Sequence, residues 1–156
     1  MTSIPTHEID AIGIGFGPAG LSLACAFADA RELGQPAGRL AVRFYEQAAS
    51  TEWHPELLLR GTDINHHVFR DLVTPRNPRS RFSFAMYLKE KGRMFDFGLL
   101  GRPASRHEWS DYVGWVAAQL RDDVTYSHRV TEVLPVVRDG RLQALEVPGP
   151  DGHCRS

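Results

Sequence analysis

Residues 9–14, Ile9-Asp10-Ala11-Ile12-Gly13-Ile14, form a short apolar run that leads into Gly15-Phe16-Gly17-Pro18-Ala19-Gly20 and then into a stretch of small residues. An apolar run of that length suits a buried strand, and the small residues suit a helix packed close to it. The glycine spacing restricts the turn between them. Gly15 permits a tight strand-to-helix turn, Gly17 lets the backbone approach a ligand, and Gly20 lets the helix close on the strand. The helix N-terminus then offers free N–H groups and a partial positive charge to an anion. Pro18 suits the first turn, where its missing N–H removes nothing. The pattern predicts a dinucleotide pyrophosphate site.

The G-x-G-x-x-G spacing alone arises by chance in glycine-containing loops, so its surroundings decide. A second strand-like run at residues 40–45, Leu40-Ala41-Val42-Arg43-Phe44-Tyr45, ends in Glu46. The fingerprint needs an acid near this point for a ribose hydroxyl. Glu46 stands slightly beyond the ideal spacing, so the first helix or its loop is expected to be long. A glycine turn beside an ordinary surface glutamate is the plainer alternative.

A chain of 156 residues is enough for one domain with its own core. Its 18 basic and 19 acidic residues leave no excess charge to attract nucleic acid, and no apolar run is long enough to span a membrane. The first eight residues lack the basic start and apolar stretch of a signal peptide, so a cytoplasmic location is expected. Cys25 and Cys154 form neither a disulfide framework nor a metal spacing; Cys25, among Leu21, Leu23, Ala24, Ala26 and Ala28, reads as a small core residue. No carboxylate or cysteine completes a recognisable metal spacing with His54, His66 and His67, so no metal site is expected.

Further along, a helix is expected over residues 21–33, stopped by Gly34. Residues 62–81 are rich in proline and arginine and lack periodicity, as functional or disordered loops do. A helix over 82–91 takes Ser80 as N-cap and Gly92 as stop. The clearest helix covers 106–120: Ser105-Arg106-His107-Glu108 has capping-box spacing, and Trp109, Tyr112, Val113, Val116 and Leu120 make one buried face. A third strand follows at 124–127. Strands at 130–137 and 142–147 flank Asp139-Gly140 as a hairpin, with Pro135 marking an edge or bulge, and 148–156 is a polar tail. The order predicts an α/β fold, a doubly wound, Rossmann-like domain over residues 1–147 with a helical excursion and a β-hairpin.

Several stretches together resemble one family. They are Gly13-Ile14-Gly15-Phe16-Gly17-Pro18-Ala19-Gly20-Leu21-Ser22-Leu23-Ala24, the pair Trp53-His54, Phe69-Arg70-Asp71-Leu72-Val73-Thr74, Arg76-Asn77-Pro78-Arg79-Ser80-Arg81-Phe82-Ser83-Phe84, and Tyr87-Leu88. The likeness is to the flavin-dependent N-hydroxylating monooxygenases, the L-ornithine and L-lysine N-monooxygenases of siderophore biosynthesis, and it spans residues 9–147. It implies that the domain binds FAD. In that family NADPH reduces FAD, the reduced flavin takes up O₂ as a C4a-hydroperoxide, and the distal oxygen passes to a neutral primary amine. By resemblance, Glu46, Trp53 and His54 line the FAD and Val130 contacts it through its backbone. Asn65 falls where the family usually has a Gln beside the flavin ring. Arg70 falls where it has a Lys near the amino-acid substrate.

The departures bear on the substrate. The usual Gln-Ile-Ser-Phe-Leu-Lys-Asp-Leu is here Asn65-His66-His67-Val68-Phe69-Arg70-Asp71-Leu72. Asn65 keeps an amide with one methylene less reach, and Arg70 keeps the charge in a fork-shaped donor set suited to a carboxylate. Gly20 and Met86 each stand where the family commonly has Asn. Arg76, Arg79 and Arg81 could join Arg70 in holding anions, or form a solvated face balanced by Asp63 and Asp71.

Family members run to several hundred residues with a second nucleotide domain for NADPH, and no second G-x-G-x-x-G occurs here. The chain is therefore expected to be truncated, without an NADPH domain and without an assigned catalytic residue. It would act on an ornithine- or lysine-like amine only with a missing segment or partner chain, and would self-associate through apolar surface left uncovered. Two alternatives stand beside this reading. One is a non-catalytic remnant that binds FAD or a partner surface. The other is a small NAD(P)-binding dehydrogenase domain, in which residues 69–84 have no natural role.

Overall fold

The computed structural model describes residues 6–100, 103–149 and 152–155. Strand β1 (Thr6–Glu8) and strand β2 (Ala11–Ile14) precede helix α1 (Pro18–Glu32), which returns the chain to β3 (Val42–Tyr45). Three helices follow: α2 (Phe84–Glu90), α3 (Met94–Leu100) and α4 (Arg106–Gln119). The chain then forms β4 (Val124–Thr125), β5 (Leu134–Arg138), β6 (Arg141–Gly149) and β7 (Gly152–Arg155). Strands β2, β3 and β4 make a parallel sheet in that order, and β1-β7-β6-β5 make a second sheet. The fold is the expected α/β, Rossmann-like one with a helical excursion and a hairpin. No described helix is long and apolar enough to cross a membrane.

The core lies where α1 and α4 meet the parallel sheet. Leu21, Ala24 and Cys25 of α1 are buried with Phe44 of β3, Val73, Phe82 and Phe84, and with Tyr112, Val113 and Val116 of α4. The α4 stripe is core, as its spacing predicts, and the Ser105 side chain caps α4 by accepting from the Glu108 N–H at 3.1 Å. Gly20 sets how closely α1 approaches β2. A Cβ added there would lie 2.3 Å from the Gly15 carbonyl oxygen, a backbone atom that cannot step aside. Gly20→Ala is expected to destabilise the domain by about 1–3 kcal/mol, the usual range for overpacking that the backbone must relieve. Denaturant unfolding checks this, and an unchanged midpoint would refute it.

The hairpin turns at Asp139 and Gly140, which both have positive φ (52° and 73°), the geometry that matches a two-residue connection to strand twist. Pro135 sits on β5 at the edge of its sheet, one residue before a register shift between Val136 and Val137. Other expectations need correction. Helix α2 begins at Phe84 and is capped by Ser83, whose hydroxyl accepts from the Met86 N–H at 3.2 Å. The Ser80 hydroxyl donates to Asp29 at 2.8 Å and accepts from the Phe82 N–H at 3.3 Å in a turn before the helix. Helix α1 starts at Pro18, three residues earlier than expected, and α3 was not anticipated. Residues 130–133 lie outside β5. The expected polar tail contains β7, whose neighbours are β6 and the distant β1.

Candidate functional site

The turn from β2 to α1 is held from below. Gly15 takes φ +94° while its N–H donates to the Tyr45 carbonyl at 2.8 Å. Phe16 turns its ring into the core against Phe44 and Tyr126. Gly17 is the extended N-cap of α1; no side chain caps that helix and no acid stands in its first turn. A Cβ at Gly15 or Gly17 would meet nothing within 4 Å. The first two glycines therefore keep space clear above the turn, and the third closes the helix beneath it. An uncapped helix start below open space has the geometry to receive an anion.

Glu46 is fixed beside this turn. Its Oε2 accepts from the Phe16 N–H at 2.7 Å and its Oε1 from the Ala48 N–H at 2.9 Å. Each carboxylate oxygen has lone-pair capacity beyond one bond, so a vicinal diol can still donate to the pair. The following loop is tied down by Thr51. The buried Thr51 hydroxyl donates to the Phe16 carbonyl at 3.0 Å and lies 2.8 Å from the Tyr126 hydroxyl. Sequence reasoning missed Phe16, Thr51 and Tyr126. Their partners are far apart along the chain, and no spacing rule links them.

Trp53 is half-buried and meets the exposed His54 edge-on at 5.2 Å, with the Arg106 guanidinium 4.7 Å from the Trp53 ring centre. His54 adopts a left-handed conformation with φ 46° and starts the short turn Pro55–Leu57. Asn65 is exposed and lines a separate cavity of about 800 Å³ walled by Val68, Phe69, Phe84, Leu88 and Phe97. Arg70 is exposed, its backbone N–H donating to the His67 carbonyl at 2.9 Å. Val130 is half-buried between β4 and β5. The structure thus places the Glu46 carboxylate on the Phe16 N–H, within the turn that carries Gly15, Gly17, Pro18 and Gly20. Among the described residues no three His, Cys, Asp or Glu side chains converge as a metal site.

The arginine cluster disperses. Arg76 pairs with the buried Asp29 at 2.9 Å, Arg81 stacks on Phe82 and reaches Glu32 at 3.7 Å, and Arg79 is exposed. Asp71 does not balance it. Its Oδ1 accepts from the Val73 and Thr74 N–H groups, at 3.0 and 2.6 Å, and its Oδ2 from the Phe84 N–H at 2.7 Å and the Thr74 hydroxyl at 2.8 Å. These bonds order the segment 71–84 that follows Arg70. The Ser22 hydroxyl on α1 donates to the Leu72 carbonyl at 2.6 Å, and the Tyr112 hydroxyl donates to the Phe82 carbonyl at 2.8 Å. Burial, aided by the charge of Asp71, pushes the Tyr112 hydroxyl above its ordinary range and keeps it a donor.

The turn and the anchored carboxylate fit a dinucleotide, FAD and NAD(P)H alike. The family described as L-lysine 6-monooxygenase/L-ornithine 5-monooxygenase matches residues 7–155. An L-ornithine N(5)-monooxygenase from Burkholderia cepacia is 40% identical over 150 residues, which cover 94% of this chain and 33% of that protein. The crystal structure of an L-lysine 6-monooxygenase from Pseudomonas syringae is 67% identical and superposes with a TM-score of 0.85 over 94% of this chain and 35% of that one. An ornithine N-hydroxylase from Kutzneria sp. 744, solved with reduced FAD, NADP⁺ and L-ornithine, is 35% identical with a TM-score of 0.81 over 97% of this chain and 36% of that one. The chain spans about a third of the length of these relatives.

Proposed function

The chain belongs to the L-lysine 6-monooxygenase/L-ornithine 5-monooxygenase family, and from that premise we propose that it supplies the FAD-binding portion of an NADPH- and O₂-dependent amine N-monooxygenase. The observation that carries this reading is the open glycine turn with the Glu46 carboxylate fastened to its Phe16 N–H. Gly15, Gly17, Pro18 and Gly20 would cradle the pyrophosphate at the start of α1, and Glu46 would accept from the ribose hydroxyls. Trp53, His54, Asn65 and the Val130 backbone would border the rest of the cofactor. Arg70 would take the carboxylate of the amino-acid substrate.

Bound FAD supplies the redox and oxygen chemistry; the side chains of this portion bind and orient. No residue of it is assigned to NADPH or to proton transfer, and turnover is expected to need further chain. The 67% identity to the Pseudomonas syringae lysine enzyme, against 40% to the Burkholderia cepacia ornithine enzyme, makes lysine the first amine to test.

The deciding experiment loads the chain with FAD, removes free flavin and records the visible spectrum, for the wild type and for Glu46→Ala. Stoichiometric flavin in the wild type is expected. Loss of the charged acceptor should weaken retention by about tenfold to a hundredfold, the equivalent of about 1.5–3 kcal/mol for a hydrogen bond to a charged group. A colourless wild type would favour the remnant reading. Selective retention of NAD(P)H would favour the dehydrogenase reading. Equal retention by Glu46→Ala would remove Glu46 from the site.

A further inference from the structure

Glu46 stands just past the end of β3, and its carboxylate is best held in direction when the backbone on both sides is fixed. The parallel ladder continues past β4 to do this. The Glu46 N–H donates to the Thr125 carbonyl at 2.9 Å, the Ser127 N–H to the Ala48 carbonyl at 2.9 Å, and the His128 N–H to the Glu46 carbonyl at 2.9 Å. Ser127 needs a left-handed conformation, φ 54°, for that sequence of bonds. This stretch leaves the sheet at His128, so something else must hold it there.

The His128 side chain makes that link. Its Nε2 lies 2.9 Å from the Pro148 carbonyl on β6, and its ring lies 4.7 Å from the Tyr45 ring, centre to centre. A carbonyl oxygen only accepts, so Nε2 carries the proton and donates. The His128 imidazole thereby ties the second sheet to the first, at the residue whose own N–H is bonded to Glu46. We propose that His128 is a positioning residue for nucleotide binding: it clamps the end of β3 to the second sheet and so fixes the Glu46 carboxylate against the Phe16 N–H. The inference rests on the reading of Glu46 as the ribose acceptor. Neutral and protonated imidazole both donate from Nε2, so the clamp needs a donor at that reach and does not need a charge.

The test compares the full chain as wild type, His128→Ala and His128→Gln, with Tyr112→Phe as a destabilised control away from Glu46. Two quantities are read below the unfolding temperature of every variant: FAD affinity, and hydrogen exchange at the Phe16 and Ala48 amides that close on Glu46. His128→Ala is expected to weaken FAD binding about tenfold, the equivalent of about one net hydrogen bond, and to speed exchange at both amides. His128→Gln, which restores an N–H donor at a similar reach, is expected to recover most of both. Tyr112→Phe should lower stability and move neither. If the wild type holds no FAD but the two amides respond to His128→Ala, the clamp stands and the reading of the site falls. If the amides do not respond, or respond equally in Tyr112→Phe, His128 is merely structural and the inference is overturned.

Discussion

Asp71→Ala is expected to destabilise the domain by about 4 kcal/mol, with about 1–3 kcal/mol for each buried N–H that loses its acceptor. Val73 and Phe84, two of the donors to Asp71, are essentially fully buried, at 0% and 1% exposed. Removing the carboxylate takes away the acceptor these buried N–H groups have in the fold, so their desolvation is left unmatched. A single domain has a total stability of about 5–15 kcal/mol, so this loss is a large fraction of it. Asp71→Asn should fall between the wild type and Asp71→Ala. Its amide keeps one acceptor oxygen, but its NH₂ must face either the Phe84 N–H or the pair from Val73 and Thr74. Urea unfolding of the three proteins checks the order. Equal midpoints for Asp71→Ala and wild type would mean that the segment 71–84 is not held by this carboxylate.

Asp71 also marks where sequence reasoning loses its grip. An aspartate that accepts from the backbone two and three residues on is a local device, and Asp71-Leu72-Val73-Thr74 carries its signature. Its third backbone donor, Phe84, is thirteen residues away and left no such sign. The same division runs through the fold. The strand, turn and helix over 11–20 are legible because every requirement is local: a tight turn, an open approach and a close helix each fall on a glycine. The α4 stripe and the Asp139-Gly140 turn are legible for the same reason. Ser80 as helix cap failed because the helix starts later, at Phe84, so the bond that Ser80 accepts from the Phe82 N–H falls in a turn before it, while its own proton goes to Asp29, fifty-one residues earlier. Strand β7 escaped because Gly152-His153-Cys154-Arg155 carries no run or alternation of large apolar residues, and its pairing with β1, at the other end of the chain, leaves no mark in the sequence. The arginines of residues 70–81 show a further limit, since charge pattern alone does not say which of them meets a buried acid.

The buried acid in question is Asp29, and its pairing with Arg76 gives the second large effect. Asp29 is 4% exposed and accepts from Arg76 Nη1 at 2.9 Å, Asn77 Nδ2 at 3.1 Å and the Ser80 hydroxyl at 2.8 Å, whereas the Arg76 side chain is 41% exposed. The two partners therefore differ in what their removal leaves behind. Arg76→Ala leaves a carboxylate in the interior with two neutral donors, and a loss of about 2–3 kcal/mol is expected, below the about 3–5 kcal/mol of a fully buried pair. Asp29→Ala leaves a cation that water can reach, but it also strips the buried Ser80 hydroxyl of its acceptor, and about 2 kcal/mol is expected. In the double variant the uncompensated carboxylate is gone, so its loss should fall short of the sum of the two by at least about 1 kcal/mol. Simple additivity would show that Arg76 and Asp29 do not depend on each other. Coupling would mean that the segment following Arg70 is fastened to α1, the helix that starts at the glycine turn, by a charge that neither water nor a neutral neighbour replaces.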